Sequence, residues 1–417
     1  MRLRLTTGLA ALMTLGALAH PPSREASAGQ VLSAQGRVPM PGPDTPRTIT
    51  AGGRQVRVVL VAGGLVNPWS IAFLPGDEGI LATEAAGRLR LIRNGALVPE
   101  PVWDVPPPGG RDVLHSVVLH PDFAQNRSVY LSYVKPDAKR FTVAVMRGRL
   151  DGGRLIGVRE IFVADAWETA ANALDGRMIF GPDRTLYLTV GDRDRLYNTD
   201  DNSIRIRAQN LGDHVGKVLR LTDEGGVPKN NPFVARAGAR PEIFTYGHRN
   251  GLGLAFHPET GELWLADVGP LGGDRLDILR PGRNYGWPLV SMGRNYTGNL
   301  VSEQPWWRPD IEMPRMFWVP VISPSSIVFY TGDRFPEWKG NLFVGALSGQ
   351  QLQRVIFRGP GRGGGGQAEQ RQPMLTELGM RVRDVQQGPD GYLYVATEVQ
   401  YGSGKPDGAL LRIEPAS

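Results

Sequence analysis

The chain has 417 residues, 41% of them hydrophobic and 21% charged, with 54 glycines, 34 prolines and no cysteine. That length supports a large core, and the missing cysteine excludes disulfides, thiolate metal ligands, a thiol nucleophile and a lipidated cysteine. The formal net charge of +6 suits an anionic ligand, while the lack of a concentrated Lys/Arg run or a nucleic-acid motif argues against nucleic acid as a partner.

At the start, Arg2 and Arg4 precede an apolar stretch from Leu5 to Ala19, the pattern of an export signal. A signal peptide is expected over 1–19, with Ala17-Leu18-Ala19 or Ala26-Ser27-Ala28 as the cleavage site. A buried N-terminal helix is the competing reading, but the segment has no periodic polar face. Residues 20–52, rich in Pro, Ser and Gly, read as a flexible leader. No later stretch is long and apolar enough to span a bilayer, so the expected location is periplasmic or secreted.

From there one phrase recurs: a Pro-centred turn, then a strand of Leu-Tyr-Val type. The copies are Leu74-Pro75-Gly76-Asp77 before Ile80-Leu81-Ala82, His120-Pro121-Asp122 before Val129-Tyr130-Leu131, and Gly181-Pro182-Asp183 before Leu186-Tyr187-Leu188. Three more are His257-Pro258-Glu259 before Leu263-Trp264-Leu265, Phe335-Pro336-Glu337 before Leu342-Phe343-Val344, and Gly388-Pro389-Asp390 before Leu393-Tyr394-Val395. A strand precedes and follows each turn, so each unit is antiparallel. Recurrence at roughly 45–80 residues points to a stacked supersecondary unit. The prediction is an all-β, six-bladed β-propeller of four-stranded antiparallel blades, forming one domain over 53–417. The stretch from Gly359 to Gln372 reads as a flexible insertion between the fifth and sixth hairpins.

Hairpin geometry puts the entry of each first strand and the exit of each second strand at the same end. On one face this gathers Asn67, Arg111, Arg177, Arg249 with Asn250, Ser325 with Ser326, and Arg381 with Arg383 and Asp384, facing Glu84, Asp192, Gly269-Pro270, Ser348 and Glu398. Five arginines at one mouth repel unless carboxylates or an anionic ligand balance them. Two readings stand: a pocket for a planar polyanion, or arginines paired with Asp192 and Asp384 that tie blades together. The carbonyls of Gly269 and Pro270 are free to meet a hard cation.

The ordered motifs Asn67-Pro68-Trp69-Ser70, Leu119-His120-Pro121-Asp122-Phe123, Gly191-Asp192-Arg193, Tyr246-Gly247-His248-Arg249-Asn250, Gly269-Pro270, Asn284-Tyr285-Gly286-Trp287-Pro288 and Arg381-Val382-Arg383-Asp384 make the chain resemble the PQQ-dependent soluble aldose dehydrogenases, the glucose/sorbosone dehydrogenase family. The resemblance covers about Leu65 to Pro415. It implies PQQ lying over the central channel, held by Arg381, Arg383, Arg249 and Asn250; Asp384, and Arg111 where the family has a glutamine, are further candidates for cofactor binding. It also implies Ca²⁺ between the cofactor and the carbonyls of Gly269 and Pro270, and a structural Ca²⁺ near Tyr285. The partners so implied are a sugar or alcohol substrate and an external electron acceptor.

The chain departs from that pattern at the chemistry. Ala173 stands where the family has its catalytic histidine, Ser348 where it has a cofactor lysine, and Arg275 where it has a glutamate supporting the structural Ca²⁺. Three readings follow. An oxidoreductase persists with another base, for which Asp192, Asp175 and His115 are the candidates and His248 lies near the mouth. Alternatively, the propeller binds an anion or sugar without turnover. The third is a Ca²⁺-dependent lactonase-type hydrolase built on Glu84, Asp192 and Glu398, against the plainer reading that these acids balance the arginines. His120 and His257 are expected to be structural turn residues, and His214 to lie outside the chemistry.

Overall fold

The structure, a computed structural model, describes residues 39–42, 44–104, 113–169, 173–194, 202–302, 307–358, 367–400 and 402–416. The expected signal peptide, most of the leader and Arg111 lie outside them. The described strands form six antiparallel sheets, which are the six predicted blades. Their innermost strands are Pro68–Phe73, Leu114–Leu119, Asp175–Phe180, Gly251–Phe256, Pro324–Phe329 and Arg381–Gln387, in blades 1 to 6. Each packs against the next, and the last packs against the first, so the ring is closed.

The Pro phrases are the turns between the first and second strands. At the turn end the pairs are Phe73 with Ile80, Leu119 with Val129, Phe180 with Leu186, Phe256 with Leu263, Phe329 with Leu342 and Gln387 with Leu393. The acid after Pro closes the turn: Asp183 Oδ1 accepts from Thr185 N at 3.1 Å, and Asp390 Oδ1 from Tyr392 N at 3.2 Å.

The Leu-Tyr-Leu pattern follows from burial on both faces of the second strand. In blade 3, Leu186, Leu188 and Val190 join the core shared with blade 2, while Tyr187 joins the core shared with blade 4. In blade 4, Leu263 and Leu265 face blade 3, and Trp264 and Ala266 face blade 5. A separate apolar cluster fills each of the six interfaces between blades.

The ring is closed by strand exchange. Arg54–Leu65 pairs with Gly408–Pro415 and becomes the fourth strand of blade 6. Arg47–Ala51 adds a fifth strand at its edge, so the leader ends earlier than the expected boundary at residue 52. The expected insertion is also shorter than predicted, because Gln367–Met374 is the outer strand of blade 5. Among the described residues no helix is long and apolar enough to cross a membrane.

One irregularity repeats around the ring. All six inner strand pairs carry a register shift at the end opposite the Pro turn: between Pro68 and Ser70, Leu114 and Val117, Asp175 and Met178, Gly251 and Gly253, Pro324 and Ile327, and Val382 and Asp384. A bulge re-aims the side chains beside it, and this end of the ring holds the predicted mouth residues.

Candidate active site at the propeller mouth

Blade 4 builds one side of the mouth. Its second strand ends at Asp267, and Val268-Gly269-Pro270 turn back toward Asp274. Asp267 receives the backbone N–H groups of Arg249 at 3.0 Å and Asn250 at 2.6 Å. Asp274 receives those of Gly269, Ile322 and Ser323 at 2.8, 2.8 and 2.9 Å. Burial raises the Asp274 carboxyl to about 7, against the pull of those three donors. A Cβ on Gly269 would fall 2.5 Å from the Gly272 carbonyl oxygen, so the turn admits only glycine there. Neither the Gly269 nor the Pro270 carbonyl accepts a hydrogen bond from a described residue.

Arg249 lines a narrow cleft with Gly269, Trp287 and Ser291 among its walls. Its guanidinium donates from Nη1 to the Val268 carbonyl at 2.9 Å and stands 5.4 Å from the centre of the Trp287 ring. Its buried Nε has no hydrogen-bond partner. Burial opposes the charge, but Tyr296 and the carboxylates Asp192, Asp194 and Asp267 keep the group above its ordinary value. Trp287 in turn donates from Nε1 to Asp192 Oδ2 at 2.8 Å. Asp192 Oδ1 accepts from Asp194 N at 3.0 Å, and Asp192 N donates to the Arg249 carbonyl at 2.8 Å. Burial lifts the Asp192 carboxyl to about 6, with Arg249 pulling the other way. Arg205 supports the far face of this cluster, pairing with Asp194 at 2.9 Å and Asn295 at 2.6 Å and lying 5.7 Å from the Trp287 ring centre.

The blade 6 side is more fully balanced than the sequence predicts. Glu398 Oε1 accepts from Arg381 Nε at 3.1 Å and Arg383 Nη2 at 2.9 Å, and its Oε2 accepts from Asn67 Nδ2 at 3.1 Å. Burial would raise the Glu398 carboxyl, yet Arg383 and Arg381 hold it below its usual range. Glu398 is therefore the counter-ion of two predicted cofactor arginines. Glu84 is likewise committed, to Val66 N at 2.7 Å and to Arg88 and Arg90.

Several expected site residues have other tasks. Asp384, expected beside the cofactor, is a buried crosslink in the channel. It accepts from Ile71 N of blade 1 at 2.8 Å and pairs with Arg177 of blade 3 at 3.2 Å. Arg177 also donates from Nε to the Leu252 carbonyl at 2.7 Å and lies over Trp69 at 4.3 Å. For this arginine the blade-tying reading is the correct one.

Asp175 sits at φ 61° with Oδ2 accepting from Gly251 N at 2.6 Å. Burial first, then the nearby Asp267, pushes its carboxyl well above the usual range. His115 is buried in a stack on Trp69, with ring centres 5.1 Å apart. His248 is buried against Tyr285, and burial, then Arg275, lowers its pKa well below the ordinary value.

His120 and His257 accept backbone N–H groups within their turns, and His214 bonds Asp165 N and Glu242, which matches their expected structural roles. Ser348 is exposed and shares a 2.8 Å hydrogen bond with Ser323. Tyr285 does not fit the expected Ca²⁺, because its carbonyl already accepts from Arg275 Nη1. The sequence reading missed Asp267, Asp274, Arg205 and the role of Trp287. Two acids bracketing Gly269-Pro270 were the available signal for the first pair.

The model of the glucose/sorbosone dehydrogenases matches residues 65–412. Aldose sugar dehydrogenase YliI of Escherichia coli is 37% identical over 86% of this chain and 93% of its own. A solved glucose dehydrogenase is 38% identical, with a TM-score of 0.77 over 86% of this chain and 99% of that one. The PQQ-bound aldose sugar dehydrogenase of Streptomyces coelicolor is 25% identical, with a TM-score of 0.63 over 90% of this chain and 100% of that one. A family match across most of a ring that carries the Arg249, Trp287 and Gly269-Pro270 cluster at its mouth leaves one conclusion: the chain belongs to the glucose/sorbosone dehydrogenase family.

Proposed function

We propose that the protein is a PQQ-dependent dehydrogenase oxidising the hydroxyl of an aldose or related alcohol, slowed by the loss of the family's histidine base. The observation that carries this reading is the buried Arg249 Nε, which lacks a partner beside the Gly269-Pro270 turn. A buried cationic donor left unpaired is unfavourable unless a ligand acceptor meets it. The relative solved with PQQ supports this kind of ligand. PQQ, when bound, supplies the two-electron acceptor.

The chain's residues would then divide the work. Arg249 meets an anionic oxygen of the cofactor, with Asn250 adjacent. Arg381 and Arg383 offer further donors, oriented by the Glu398 they share. The unbonded Gly269 and Pro270 carbonyls suit Ca²⁺, which takes oxygen ligands. Asp192 is the best-placed base: with a pKa of about 6 it is largely ionised at pH 7, and Trp287 fixes one of its oxygens. Asp175 serves as a structural acceptor, receiving the Gly251 backbone N–H. Exported enzyme passing electrons to an external acceptor remains the expectation for location and partners.

Ala173 favours one alternative, a propeller that binds its ligand without turnover. Incubation of the purified apoprotein with PQQ and Ca²⁺, followed by absorbance and by dye reduction with aldoses, separates the two. The dehydrogenase predicts uptake with slow dye reduction, and Ala173→His should then increase turnover by about 10²-fold or more. Uptake without any dye reduction would leave only the binding reading.

A further inference from the structure

Blade 4 contains a cluster that resembles a metal cage but is filled by the chain itself. His248, Asp267 and Asp277 are all buried, and each offers a ligand atom within 4.8 Å of the others. Neither oxygen of Asp277 has a hydrogen bond, and neither does His248 Nδ1, which lies 3.9 Å from Asp267 Oδ2. The Tyr285 carbonyl borders the cluster, meeting the Arg275 guanidinium that lies between the two acids. A buried set of two carboxylates, a neutral imidazole and a backbone carbonyl is a donor set for a divalent cation.

The guanidinium of Arg275 occupies it instead. Nη2 lies 3.2 Å from Asp267 Oδ2 and 3.1 Å from Asp277 Oδ2, while Nη1 donates to the Tyr285 carbonyl. One cation facing two acids leaves a negative charge over, and burial accordingly raises Asp277 to about 7, against the pull of Arg275.

We propose that Arg275 is an internal cation standing in for a metal ion, so that blade 4 holds its acid cluster without metal and a divalent-cation site lies latent beneath the guanidinium. Because Asp267 receives the backbone of Arg249 and Asn250, the same guanidinium steadies the mouth. The inference concerns the apoprotein and does not depend on the catalytic reading.

Thermal unfolding of the apoprotein, without PQQ, in excess EDTA or excess calcium chloride tests it. Wild type is expected to give the same midpoint in both. Arg275→Glu should unfold earlier in EDTA and recover by about 5 °C with calcium at a hundredfold over its Kd. It should also take up one equivalent of calcium by titration calorimetry, and Asp277→Asn in that background should abolish the uptake. If Arg275→Glu fails to fold in both conditions, Arg275→Gln, which leaves the acids without a cation, is read in the same way. The proposal is overturned if the wild-type midpoint rises with calcium and Asp277→Asn removes that rise. It is also overturned if a folded Arg275 variant takes up no calcium.

Discussion

Asp192 illustrates how one residue's surroundings fix its chemistry. It has no exposure, so burial alone would keep it protonated, while the neighbouring Arg249 draws it back toward ionisation. The resulting value of about 6 places it between an ordinary carboxylate and the histidine that Ala173 replaces. If it is the base, kcat should fall as pH drops through about 6, because the protonated form cannot accept a proton. Asp192→Asn should reduce kcat by about 10²- to 10⁴-fold and remove that acid limb, while PQQ affinity changes little. A variant that keeps wild-type kcat would show that the proton goes elsewhere. The identity of Asp192 as a site residue was legible from the Gly191-Asp192-Arg193 motif. Its partner Trp287 was not, because the two lie 95 positions apart and meet only through the fold.

The turn-bearing hairpin of blade 4 is the element on which the mouth depends. Asp274 joins the Gly269 turn to the entry of blade 5 through three backbone N–H groups. Its folded-state value of about 7 exceeds the ordinary 3.8, so the folded state binds the proton more tightly than the unfolded chain. The resulting stabilisation is fully present below about pH 4 and is lost as pH rises through 7. The unfolding midpoint should therefore decline between about pH 4 and 7, and Asp274→Asn should flatten that decline while lowering the midpoint at pH 5. An unchanged slope in the variant would contradict the assignment. Hairpins such as this one were legible because middle strands buried on both faces must read as continuous apolar runs. The crosslink from Arg177 to Asp384 was open in the sequence, since the same two residues also suit a ligand pocket. Only the closing of the ring, which brings blade 3 opposite blade 6, decides between them. Arg275 was visible as a departure, but its function needed the Tyr285 carbonyl and two acids gathered around it.

Across the whole molecule, stability rests on closure. No blade can bury both faces alone, and each of the six interfaces has its own apolar cluster. The closing strand Arg54–Leu65 meets Gly408–Pro415 from the opposite end of the chain. That pairing left no local signature, which is why the sequence reading counted blades correctly yet placed the leader boundary too far along. Deleting the chain through residue 46 removes Met40, which packs against the cluster between blades 5 and 6, and should lower the unfolding midpoint by about 2–4 °C while leaving the transition cooperative. Deleting through residue 65 should open the ring and abolish cooperative unfolding. A cooperative transition in the longer deletion would show that the fourth strand of blade 6 is dispensable.

The central claim is that this closed ring gathers a cationic mouth for a flat polyanionic cofactor. Calorimetric titration of the apoprotein with PQQ in the presence of Ca²⁺ tests it most directly. The account predicts uptake of one equivalent, weakened by about 10²-fold or more in Arg249→Ala, which removes a charged hydrogen-bonding partner. No uptake by the folded protein, or equal affinity in the variant, would contradict it.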